Sequence, residues 1–146
     1  MKQKSSVFRT LPAALTLTLL LAACSGNDPA KLMQSAKDYM AQSDHAAAII
    51  QLKNALQAQP DLAEARFLLA KALLATGDVS GAQTELKKAQ DAGYAPEQLV
   101  PVMARVMLSQ GEHKKLTDTH AQTRLADPAA QAELQSWTIT AQSFSS

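Results

Sequence analysis

From position 29 onward the chain repeats itself every 34 residues, and this period limits its fold more than any other property. Ala36, Ala70 and Ala104 stand one period apart, as do Tyr39, Leu73 and Met107. Ser43, Gly77 and Gly111 form a third column, followed directly by Asp44, Asp78 and Glu112. Further columns are Ala48, Ala82, Leu116; Leu52, Leu86, His120; and Ala55, Ala89, Thr123. Pro60 and Pro128 lie two periods apart. A unit of this size cannot bury an apolar face alone, so neighbouring units must stack into one continuous core.

Inside each unit the apolar spacing is helical. Leu32, Ala36, Tyr39 and Met40 make one stripe, Ser43-Asp44 breaks it, and Ala48, Leu52, Ala55 and Leu56 make the next. Helices are expected over about 29–42, 45–58, 62–76, 79–92, 97–110, 113–126 and 129–142. Gly77 suits the left-handed conformation that closes a helix, and Asp78 suits the free amides that open the next one. Pro101 falls inside the fifth helix, which is expected to start late or kink there. Composition agrees with an all-α chain. There are 28 Ala and 20 Leu, but only eight Val plus Ile, and aromatics are 4%, too few to fill a sheet core.

The first 23 residues read as an address. Met1–Thr10 carries Lys2, Lys4 and Arg9 without an acid, and Leu11–Ala23 is uncharged and rich in Leu, Ala and Thr. The run is shorter than the ~20 apolar residues of a spanning helix. It closes on Leu21-Ala22-Ala23-Cys24 before a polar Ser25-Gly26-Asn27-Asp28. That ending resembles the lipobox of bacterial lipoproteins, which implies cleavage before Cys24 and lipidation of its thiol. The plain alternative is an ordinary secretory leader that ends by chance on a cysteine. Two or three acyl chains on one residue meet the requirement for stable anchoring, so residues 24–28 become a lipidated terminus and short linker. By the same resemblance, Ser25 in place of Asp implies the outer membrane, facing the periplasm. Loss of Lys2, Lys4 and Arg9 turns the precursor's net charge of +1 into a mature body with 11 basic and 13 acidic residues. Such a body offers nothing to nucleic acid. A single cysteine also excludes a disulfide framework and a four-cysteine metal site.

The columns above resemble tetratricopeptide repeats. The small residue of the first helix matches Ala36, Ala70 and Ala104, and the glycine before the turn matches Gly77 and Gly111, with Ser43 as the exception. Ala48, Leu52, Ala55 and Pro60 fit the rest of the first unit; the second has Tyr94 in the proline column. The large aromatic that opens such repeats is replaced by Leu32, Arg66 and Val100, and Leu116, His120 and Thr123 fit poorly. The resemblance implies a solenoid over 29–128, in units of about 29–62, 63–96 and 97–130, with 129–146 as a partial fourth unit or truncated tail. From Cys24 to about Gly111 the chain also resembles the tetratricopeptide lipoproteins of PEP-CTERM/exosortase systems. That implies a role near exopolysaccharide export or PEP-CTERM protein sorting. Family members carry more repeats, so this chain is expected to be the start of a longer array.

No phosphate loop, metal-ligand spacing or nucleophile elbow is present in the sequence, and no enzyme activity, cofactor or metal is expected. His45, His113 and His120 read as cap or core residues. Binding is a different matter. Lys37, Lys71 and Arg105 lie one period apart on the first helix of each unit. Tetratricopeptide arrays line their concave face with these helices, which implies a basic ladder along a groove. Met40, Leu74 and Leu108 follow three residues on, with Met33 and Phe67 one turn before. The pattern suits a protein or peptide partner with carboxylates. The ordinary alternative is a solvated basic face beside core apolar residues. An acidic polysaccharide is the rival partner, although the aromatic platforms for sugar are limited to Tyr39, Phe67, Tyr94 and Trp137. A subunit serving a partner's enzyme is the third option.

Overall fold

The computed structural model describes residues 28–145, so the leader and Cys24 lie outside the described residues. Seven helices follow one another: α1 (Pro29–Ala41), α2 (His45–Ala58), α3 (Ala63–Ala75), α4 (Val79–Asp91), α5 (Pro96–Ser109), α6 (His113–His120) and α7 (Pro128–Ser145). No strand occurs among the described residues. The all-α solenoid expected from the period is what forms. Hairpins α1–α2 and α3–α4 are each closely packed, and each stacks on the next through α2 on α3 and α4 on α5.

The turn columns explain the sharp reversals. Ser43, Gly77 and Gly111 all have positive φ, at 60°, 88° and 74°. Each turn closes the same way, because the amide of Asp44, Asp78 or Glu112 donates to the carbonyl of Tyr39, Leu73 or Met107 at 2.9 Å. This double wrap is the usual solution for a helix whose last carbonyls would otherwise go unpaired. Asp44 and Asp78 then cap the following helices through the amides of Ala47 and Gly81. Glu112 makes no such cap and pairs with Lys115 instead. Ser43 adopts the left-handed conformation without being glycine, so the sequence exception is not a structural one.

The core follows the columns too. Ala36, Ala48, Ala55, Ala70, Ala82, Ala89 and Ala104 are all fully buried, as are Leu52 and Leu86. Arg66, standing where an opening aromatic is missing, is used as a strap. Its guanidinium donates to the Pro60 carbonyl at 2.7 Å and pairs with Glu85 at 2.7 Å, tying α3 to the preceding loop and to α4.

Two expectations need correction. The fifth helix does not start late: it runs from Pro96, and Pro101 is buried within it. Pro96 occupies the first turn, where no amide is needed, and Pro101 forgoes only the bond to the Glu97 carbonyl. The sixth helix ends at His120 rather than near 126. His120 stands in the column of the buried Leu52 and Leu86, and threonines at 117, 119 and 123 favour helix poorly. The third hairpin is consequently looser, and α5 shares more of its packing with α7 than with α6. Leu116, Leu134 and Ala141 join Ala104 and Met107 in this last part of the core.

His120 Nδ1 faces Thr123 Oγ1 at 3.3 Å, while Nε2 is enclosed without a partner among the described residues. Burial holds this imidazole below its ordinary value. Unfolding therefore takes up a proton as pH is lowered through the ordinary histidine value of about 6.5, and stability falls with it. Replacing His120 by Leu is expected to raise the melting temperature by a few degrees and to flatten its dependence on pH between about 7 and 5. Thermal melts followed by circular dichroism check both effects. Leu86→Ala, which empties a site sealed by α3, α4 and α5, is expected to cost about 3 kcal/mol in urea titrations.

Candidate functional site

α3, α5 and α7 contribute side chains to one cavity. Because every hairpin reverses the chain, α3 and α5 run in the same direction and place equivalent residues side by side. Between the three helices lies a cavity of about 440 Å³. Phe67, Leu74, Pro101 and Val102 form its apolar surface. Lys71 and Arg105 enter it from the middle and later turns of α3 and α5. Glu97, Asp127 and Glu133 line it near the starts of α5 and α7. Along α5 the acid comes first, with Glu97 in the first turn and Arg105 about two turns later.

The floor is held by aromatic stacking. Phe67 is 4% exposed and lies against Tyr94, with ring centroids 4.4 Å apart and planes at 23°. The Lys71 ammonium sits 5.6 Å from the Phe67 ring centroid, within reach of a cation–π interaction. Tyr94 donates its hydroxyl to Gln98 Oε1 at 2.6 Å. Burial, and secondly the Glu64 carboxylate, raise the Tyr94 phenol above its ordinary value, so it stays a donor.

The eight expected groove residues are not gathered in one place. Phe67, Lys71, Leu74 and Arg105 share the cavity. Lys37 and Met33 instead line a separate, smaller hollow of about 330 Å³ at α1, beside Leu62 and Glu64. There Lys37 Nζ pairs with Glu64 Oε1 at 2.8 Å, and Met33 is largely core. Met40 is half-buried, and its carbonyl accepts the Ser43 amide in the first turn. Leu108 is half-buried against the last core cluster. The basic column thus splits after its first member, and the cavity is of mixed charge rather than purely basic. Glu97, Asp127 and Glu133 were missed because Asp127 and Glu133 belong to the aperiodic end of the chain. Glu97 belongs to the same register as Ala63, which carries no charge.

Residues 39–106 match the family described as Tetratricopeptide repeat. Over that stretch, a little under half of its length, the chain is similar to tetratricopeptide repeats. The matched stretch runs from the end of α1 to late in α5, so it includes both cations of the cavity and Phe67 but neither Lys37 nor Asp127 and Glu133. No curated protein matches the chain significantly. Tetratricopeptide repeats generally serve as non-catalytic scaffolds that bind proteins. Among the described residues, no group of His, Cys, Asp and Glu is placed to hold a metal ion. No described helix is long and apolar enough to cross a membrane. Phe67→Leu keeps the cavity floor apolar but removes the stack on Tyr94; it is expected to cost about 1 kcal/mol in chemical denaturation.

Proposed function

We propose that this protein is a membrane-anchored scaffold of the bacterial cell envelope, without catalytic activity of its own. Acylated Cys24 would hold the solenoid at the outer membrane on its periplasmic side, and the concave cavity would take hold of a protein. The observation that carries this reading is the cavity between α3, α5 and α7. It joins an apolar surface to five charged side chains on a helical frame of tetratricopeptide type. Apolar contact supplies burial there, and charge supplies orientation. A place in exopolysaccharide export or PEP-CTERM protein sorting is the finer form of the proposal, and it stands on the resemblance of Cys24 to about Gly111. Carbohydrate binding ranks lower, because Phe67 and Tyr94 spend ring faces on one another.

A photoreactive side chain at Val102, on the cavity wall, is expected to crosslink a discrete envelope protein in living cells. The same group at Ile50, exposed on α2, is the control. Equal crosslinking from both positions would remove the concave face from the proposal. Cys24→Ser is expected to move the protein from the membrane to the soluble fraction, and full retention in the membrane would rule out the lipid anchor.

A further inference from the structure

The unequal state of the basic column says more about what the cavity takes. Lys37 and Lys71 are equivalent residues one period apart, and so are Glu64 and Gln98. In the first register Lys37 and Glu64 close on each other at 2.8 Å. In the second, an amide stands where the carboxylate was, and Gln98 is held by the Tyr94 hydroxyl at 2.6 Å. Lys71 is consequently left beside the Phe67 ring, with no carboxylate paired to it among the described residues. Arg105, one period further, likewise makes no ion pair, since Ala132 follows Glu64 and Gln98 in that column.

The acids of the cavity do not neutralise these cations. Glu97, Asp127 and Glu133 share the cavity with Lys71 and Arg105, yet none forms an ion pair with them. Elsewhere the chain pairs its charges readily, as at Arg66–Glu85 and Lys88–Glu85. On α5, Glu97 and Arg105 stand about 12 Å apart with Pro101 between them, so the cavity offers a carboxylate and a cation at different places along one helix.

We infer that the cavity takes a dipolar peptide segment, with an acidic side chain against Lys71 and Arg105 and a basic side chain against Glu97, Asp127 and Glu133. This rests on the scaffold reading above and names the chemistry of its partner. A purely acidic segment satisfies the cations but brings its other charges against three carboxylates, and a purely basic one fails at the opposite pole.

Three fluorescent, end-blocked dodecapeptides on one Ala/Leu background test this by polarisation with the whole protein. One carries two Glu, one two Lys, and one a Glu and a Lys spaced to match the poles. The dipolar peptide is expected to bind about tenfold more tightly than either of the others. Gln98→Glu restores to Lys71 the partner that Glu64 is to Lys37, and it keeps the acceptor for Tyr94. It is expected to weaken the dipolar peptide about fivefold, whereas Lys37→Ala leaves it within about twofold. Equal binding of the acidic and dipolar peptides, no effect of Gln98→Glu, or no binding of any peptide would each overturn the inference. Recovery of a crosslinked protein at Val102 together with any of those results keeps the scaffold and discards only the dipolar partner.

Discussion

Seven alanines set the distance between the helices of this protein, and everything else about it depends on that distance. Each presents a single methyl group at a helix crossing, each is fully buried, and each recurs with the repeat. A larger side chain at any of these crossings would force the backbones apart, which typically costs about 1–3 kcal/mol. Alanine also has no side-chain torsion to freeze or to switch. The spacing is therefore a property of the backbone, and the leucines between the alanines fill what that spacing leaves. The cavity inherits its shape from the same constraint, since its walls are helices held at fixed separation.

On that frame the charged residues divide into two kinds. Arg66 spends its guanidinium on the Pro60 carbonyl and Glu85, and it is largely shielded from solvent. It ties elements together. Lys37 pairs with Glu64 at a site where both side chains are about half exposed, so their attraction is screened and worth little to stability. Lys71 and Arg105 do neither. Among the described residues neither pairs with a carboxylate, and both line a cavity that is open to water.

Most of the fold could be read from the period alone. The turn glycines, the aspartate caps and the Ala and Leu columns each state a backbone or packing requirement, and all of them were met where the spacing put them. The misreadings fall where the period weakens. Pro101 suggests a late start, but the helix opens at Pro96, whose fixed φ suits the first turn, and the loss of one amide at Pro101 does not end it. The period carries α6 to about 126, but it ends at His120 because His120 and Thr123 occupy column positions without the apolar bulk that a column needs. The site was half legible. Lys71, Arg105, Phe67 and Leu74 follow the column logic, and they line one cavity. The carboxylates were not, since two of them come from a stretch that repeats nothing, and pairing of Lys37 with Glu64 depends on a neighbouring unit rather than on local sequence.

The loosened third hairpin has a consequence for how a segment could lie in the groove. In a strictly periodic trough, a ligand can sit equally well in positions one unit apart, and its placement is degenerate. Here the short α6 and the irregular 121–127 let α7 pack on α5, so that Asp127 and Glu133 line the same cavity as Lys71 and Arg105. The amide at 98 distinguishes the second unit from the first. Between them these departures remove the degeneracy. The repeat supplies the shape of the groove, and its imperfections supply an origin from which position along it is measured.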